Sequence, residues 1–188
     1  MKKLLYFALA IIFCVACDQK KENKPLVEQV EENISDSTIY GTCGEGTMMH
    51  TLELITNMDD TLQILINDED AEQYTLVEGG MMCGDRMAVT AYKTDDGLVA
   101  SRIINLTSLL GKWSSIDKNF ELTEDGEVKS TVKLESNTWT SWRILNGHLM
   151  LNRDTFDIVA LGGDSLELEN ANGIYAFKRI RTTSTDAE

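Results

Sequence analysis

Thr138-Trp139-Thr140-Ser141-Trp142-Arg143-Ile144-Leu145-Asn146-Gly147-His148-Leu149-Met150-Leu151 is the stretch that decides the fold. Asn146-Gly147 is the strongest hairpin signal in the chain. A two-residue turn that follows the twist of its strands needs positive φ at both central positions, and Asn-Gly accepts this most readily. The flanking runs carry aromatic, β-branched and aliphatic residues suited to a pleated, half-buried surface. Thr138 to Leu145 reads as one strand and His148 to Leu151 as its antiparallel partner. Side chains alternate along a strand, so Trp139 and Trp142 should fall on opposite faces. Trp142 is expected in the core and Trp139 half-buried against neighbouring structure. The other outcome, an exposed tryptophan on an acidic surface, would mark a contact site for sugar, lipid or protein.

Downstream, Thr155 to Leu161, Ser165 to Glu169 and Gly173 to Ile180 read as strands, with turns at Gly162-Gly163-Asp164 and Asn172-Gly173. Upstream, Leu109-Leu110-Gly111-Lys112-Trp113 leads in and Asn119 to Thr123 is a short strand turned by Glu124-Asp125-Gly126. Val128, Ser130, Val132 and Leu134 then alternate with charged and polar residues. Turn signals every 8–12 residues predict an antiparallel meander that closes into a barrel over residues 107–181.

Residues 38–106 repeat this logic. Ile39 to Cys43, Met48 to Thr56, Thr61 to Asn67, Met87 to Lys93 and Leu98 to Leu106 read as strands, and Asp95-Asp96-Gly97 is a strong hairpin turn. Leu62, Ile64 and Ile66 share one face. Five strands in so short a span predict a small, strongly bent barrel of the OB type. The expected fold is all-β, with two small antiparallel barrels.

The N-terminus carries a different signal. Met1-Lys2-Lys3 is positive, Leu4 to Ala16 is almost unbroken hydrocarbon, and Cys17 opens the charged run Asp18-Gln19-Lys20-Lys21-Glu22. The apolar run is too short to span a bilayer as a finished helix. Residues 17–37, with few apolar side chains and the only proline, Pro25, read as a tether, and residues 182–188 as a disordered tail. The whole chain has 17 basic and 31 acidic side chains, a formal charge of −14. Loss of residues 1–16 would remove Lys2 and Lys3 and no acid. Such a surface repels phosphate backbones, which excludes nucleic acid as a partner, and it disfavours adhesion to anionic lipid.

Two resemblances follow from these residues. Met1 to Cys17 resembles a bacterial lipoprotein signal, which implies cleavage after Ala16, acylation of Cys17 by chains such as palmitate, and attachment to the cell envelope, the outer membrane favoured over the inner. Gly111-Lys112-Trp113 is the G-x-W signature of lipocalins, and Trp139 to Arg143 with Asn146 to Leu151 resembles the middle of short bacterial lipocalin-like domains. That resemblance implies a tryptophan, Trp113, plugging one barrel end, with Arg179 or Arg181 stacked on it. It also implies a small apolar ligand; an envelope protein as partner is a separate expectation that does not rest on this resemblance. Residues 107–181 are only half a typical lipocalin, and barrels so short are filled by their own side chains.

Soft sulfur is concentrated in the first module. Cys43, Met48, Met49 and His50 lie near its start, and Met81, Met82, Cys83 and Met87 further on. Three outcomes are open: a Cys43–Cys83 disulfide, expected in an oxidising compartment; free thiols with methionines as core filler; or a Cu(I) site built from Cys43, Met48, Met49, His50, Met81, Met82 and Cys83. His50 and His148 are the only histidines. No serine sits in a nucleophile-elbow context, no His-x-x-x-His or Cys-x-x-Cys occurs after Cys17, and Asp157 and Glu167 read as outward-facing strand residues. The expectation is a non-enzymatic binding or scaffolding protein without a cofactor.

Overall fold

The computed structural model describes residues 35–130 and 138–181. Cys17, the export segment, residues 17–34 of the tether, the strand positions Val132 and Leu134, and residues 182–188 lie outside the described residues.

The first sheet contains β1 (Ile39–Cys43), β2 (Thr51–Thr56), β3 (Thr61–Leu65), β4 (Leu76–Glu78), β5 (Arg86–Thr94) and β6 (Gly97–Asn105). β1 pairs with β2 and β5, β2 with β3, and β5 with β6, all antiparallel. A parallel pairing, Ile64 with Leu98 and Leu65 with Val99, closes β3 onto β6. The result is a five-strand ring, β1-β2-β3-β6-β5, with the Greek-key order of an OB-type barrel. Leu52, Leu54, Ile64, Met87, Val89 and Ile103 fill it, each with no measurable exposure.

β4 was not anticipated. It runs parallel to the second half of β6, pairing Leu76 with Arg102 and Glu78 with Ile104. Three residues between Thr75 and Gly79 are too few to show a period. Two other strands are shorter than the sequence suggested. Met48 to His50 form a turn before β2, and Ile66 and Asn67 leave β3.

A single helical turn, α1 (Leu106–Leu109), joins the sheets. The Asn105 side chain caps it by accepting from Ser108 N at 2.9 Å. The second sheet then runs as β7 (Gly111–Ser114), β8 (Asn119–Leu122), β9 (Val128–Ser130), β10 (Trp142–Leu145), β11 (His148–Leu151), β12 (Asp154–Leu161), β13 (Ser165–Asn170) and β14 (Gly173–Arg179). Its order is an up-and-down meander in which β14 returns to β7. The free ends, β9 and β10, meet where Val128 N donates to Thr140 O at 3.0 Å and Trp142 N to Gly126 O at 2.8 Å. This nearly closes an eight-strand barrel.

The two tryptophans exchange their expected roles. Trp139 lies in the core, edge-to-face with Phe120 at 5.3 Å and with Phe156 at 5.6 Å between ring centres. Trp142 is half-buried, and its Nε1 donates to Thr123 O at 2.8 Å. The alternation argument fails because the strand begins only at Trp142. Asn152 Oδ1 accepts from Thr140 N at 2.9 Å and Ser141 N at 3.1 Å, holding this stretch out of regular pairing.

Ser35–Glu188 forms one compact unit. The reason is the β5–β6 ribbon, which is buried on both faces. Met87, Val89 and Ile103 face the first core, while Ala88 and Ile104, with Leu106 and Leu109 of α1, join the second. Strands covered on both sides read as continuous apolar runs, and Met87-Ala88-Val89 and Ile103-Ile104 do so.

Candidate functional site

The Asn146-Gly147 turn does more than reverse the chain. Both residues have positive φ, +50° and +84°, as the sequence requires. The turn is pressed against the first barrel. Asn146 N donates to Thr38 Oγ1 at 3.0 Å, and Asn146 Nδ2 donates to Ser35 O at 3.2 Å. Tyr40 Oη donates to Ile144 O at 2.8 Å, and burial raises the pKa of this phenol, with Asp36 adding to the shift. A Cβ on Gly147 would stand 3.1 Å from Arg102 Cδ and 3.3 Å from Thr90 Oγ1.

Arg102, on β6, is the polar centre of the seam. Its Nη1 donates to Gly147 O at 2.9 Å and to Asp157 Oδ1 at 3.0 Å. His148 Nδ1 lies 2.8 Å from the same carboxylate oxygen, without the alignment of a hydrogen bond. Burial would raise the pKa of Asp157. The Arg102 hydrogen bond and the charges of His148 and Arg102 outweigh it and hold the carboxyl below its usual value. Glu78 moves the other way. It is buried, and desolvation raises its pKa despite the opposing charge of Arg102. Asp157 therefore does face out of its own barrel, but onto the neighbouring one.

A second polar knot closes the end of the eight-strand barrel. Trp113 is fully buried and its Nε1 donates to Leu109 O at 2.9 Å. The Arg179 guanidinium lies 4.1 Å from the centre of its ring. Arg179 also donates to Gly163 O at 2.6 Å, to Leu110 O at 2.7 Å and to Ser108 O. Arg181 instead pairs with Asp164 at 2.6 Å. Trp113, Trp139 and Arg179 thus take part in internal packing.

The sulfur candidates do not assemble around one point. Cys43 is buried, its Sγ 3.3 Å from Thr47 Oγ1, whereas Cys83 is exposed, and the two are unpaired. The expected disulfide is absent because Cys43 points into the first core and Cys83 sits in a surface turn. Their backbones nevertheless meet. Cys43 N donates to Asp85 O and Gly84 N to Cys43 O, both at 2.8 Å. Met48, Met49 and Met82 are exposed, Met81 packs against the first core, and His50 Nδ1 is turned to Asp68 Oδ1 at 3.1 Å. Among the described residues, no three His, Cys, Asp or Glu side chains gather as a metal cluster.

No family model, curated protein or solved structure matches this chain. The site must be judged on its own geometry.

Concavities lie on the outer walls. One of about 580 Å³ is bounded by Ser114, Ile116, Ser165, Glu167, Ala176 and Lys178. One of about 260 Å³ adjoins it at Asp117, Ile174 and Tyr175. A third, of about 550 Å³, lies over the first barrel beside Tyr74, Tyr92 and Ser101. Sequence reasoning did not find these, nor Arg102 and Glu78. Nothing local distinguishes a strand arginine that faces solvent from one that faces a second barrel.

Proposed function

We propose that this protein is a lipid-anchored component of a bacterial cell envelope, held through Cys17, and that its fused barrels bind a protein partner on their outer surface without catalysing a reaction. The run Leu4 to Ala16 before Cys17 supports the anchor. The acidic surface leaves acyl chains as the means of attachment. The likeness to short lipocalin-like domains rests on Gly111-Lys112-Trp113 and the Arg179 stack, and supports architecture rather than cargo.

One observation carries the binding mode: the protein's own side chains occupy both barrel interiors. Trp113, Leu149, Leu151, Leu166 and Leu168 have no measurable exposure, and Phe120, Trp139 and Phe156 interlock across the second barrel. A small apolar ligand would have to displace them, at the cost of their packing. Outer concavities flanked by exposed Ile116, Ile174 and Tyr74 are the surfaces left for recognition.

Photocrosslinking side chains placed at Ile116, Tyr74 and Val159 in intact cells test this. The reading expects a discrete adduct at one wall position but not at all three, and loss of membrane attachment in Cys17→Ala. Saturable quenching of tryptophan fluorescence by palmitate at micromolar concentration, or no adduct from any position, would overturn it.

A second reading, Cu(I) binding, is favoured by the Cys43–Gly84–Asp85 backbone contacts, which set the turn carrying exposed Met82 and Cys83 beside the end of β1. Native mass spectrometry with Cu(I) tests it. A one-to-one complex that survives simultaneous Met48→Leu, Met82→Leu and Cys83→Ser would end it.

A further inference from the structure

The last strand of the second barrel has one incomplete edge. β14 pairs with β13 along its whole length, from Asn170–Gly173 to Ser165–Lys178. In an antiparallel ladder alternate residues bond to opposite neighbours. Arg179 N donates to Asp164 O on the β13 side, at 2.9 Å, while Ile180 N donates to Lys112 O on the β7 side, at 2.8 Å. Odd-numbered residues of β14 thus serve β13, and even-numbered residues serve β7.

The β7 ladder stops at Lys178–Ser114. β7 then turns away, with Ser115 N donating to Lys118 O at 2.7 Å. Among the described residues, the next even positions, Ala176 and Ile174, have no backbone partner on this edge. Both border the concavities beside Ile116. Ile116 and Ile174 are exposed apolar side chains beside an open strand edge, the arrangement to which an extended chain adds.

Charge selects the occupant. On the outer face Glu167 stands opposite Ala176 and Glu169 opposite Ile174, with Asp117 on the adjoining turn. Against these three acids stand Lys178 at the larger concavity and Lys118 at the smaller, the latter turned over the Trp139 ring at 4.0 Å. A second copy, with a formal charge of −14, would be repelled. We propose that the edge at Ile174–Ala176 binds an extended segment of a partner protein in which basic and apolar residues alternate. The added strand would take its hydrogen bonds from Ala176 and Ile174, seat an apolar side chain beside Ile116, and set its cations against Glu167 and Glu169. This rests on the outer-surface reading above and names its partner chemistry.

The probe is a capped ten-residue peptide of alternating valine and lysine, titrated at low salt into protein lacking residues 1–16, with amide chemical shifts as the readout. Saturable shifts at 173–178 are expected, with binding at least tenfold weaker for a peptide N-methylated on alternate amides. Ala176→Pro should have the same effect, since it removes the edge N–H and spares the β13 ladder. Glu167→Lys with Glu169→Lys should also weaken binding. Equal binding of the methylated peptide would show charge adhesion alone and overturn the proposal. So would absence of shifts at this edge, or self-association through it. An adduct at Tyr74 with no peptide bound at β14 would sink this proposal while leaving the wider reading intact.

Discussion

Arg102 of the first barrel and Asp157 of the second stand 3.0 Å apart across the seam that fuses them, and the arginine side chain is only 16% exposed. Because Arg102 also holds Gly147 O, its removal leaves a carbonyl and a carboxylate without their shared donor. Arg102→Ala is expected to cost about 2 kcal/mol, or roughly 4–8 °C in melting temperature. Chemical denaturation of the soluble protein measures it. A cost below a few tenths of a kcal/mol would mean that apolar packing and the Asn146 and Tyr40 hydrogen bonds join the barrels without help from Arg102.

Asp157 sets a pH dependence at the same place. Its folded pKa lies below the unfolded value, so its stabilisation is present above the usual carboxylate range and is lost as pH falls through the folded value. The carboxylate is half exposed, which limits Asp157→Asn to under about 1 kcal/mol at neutral pH. Melting curves for wild type and variant should converge in acid. A gap that widens below pH 4 would refute this assignment.

Glu78 carries the opposite sign. Burial raises its folded pKa, so its contribution is fully favourable only below the unfolded value and declines as pH rises through the folded one. Glu78→Gln removes the buried charge and is expected to raise the neutral-pH melting temperature by roughly 1–3 °C. The gain should vanish in acid. Destabilisation at pH 7 would show that the attraction to Arg102 outweighs desolvation.

Much of the fold was legible because turn chemistry is local. Asn146-Gly147 and Asp95-Asp96-Gly97 demanded hairpins, and the strands around them lie within one residue of expectation, except that the strand expected from Thr138 begins at Trp142. What stayed hidden is non-local. The parallel closure of β3 onto β6, and β4 beside it, depend on partners distant in sequence. The fusion of the barrels was visible only as the unbroken apolar pairs Ala88-Val89 and Ile103-Ile104, which read as ordinary strand centres until a second core appears behind them. Trp139 and Trp142 were misplaced because Asn152, ten or more residues away, pulls Thr140 and Ser141 out of regular strand geometry.

The thiols offer a direct check on the first barrel. With Cys43 buried and Cys83 exposed, one thiol should react rapidly with an aromatic disulfide reagent in protein lacking residues 1–16 and carrying Cys17→Ala. The second should react only on unfolding. Cys83→Ala should be silent in stability, whereas Cys43→Ser, which places a hydroxyl in the core, is expected to cost about 1–3 kcal/mol. Two unreactive sulfurs that appear only after reduction would establish the disulfide instead.

Arg179 tests how the closed end of the second barrel holds together. Its three carbonyl bonds and its place over Trp113 need a planar, multiply donating group, and a lysine ammonium cannot reproduce that fork. Gly111 makes room for it: with φ at +121°, a Cβ there would come within 2.7 Å of Arg179 Nη1. Arg179→Lys keeps the charge, so a purely electrostatic role predicts little change. The geometry instead predicts a loss of about 2 kcal/mol and altered Trp113 fluorescence as the guanidinium leaves the ring. Gly111→Ala should produce the same spectral change by driving the arginine off its seat. Unchanged emission in both variants would show that the indole is held by Leu109 and the surrounding core without help from Arg179.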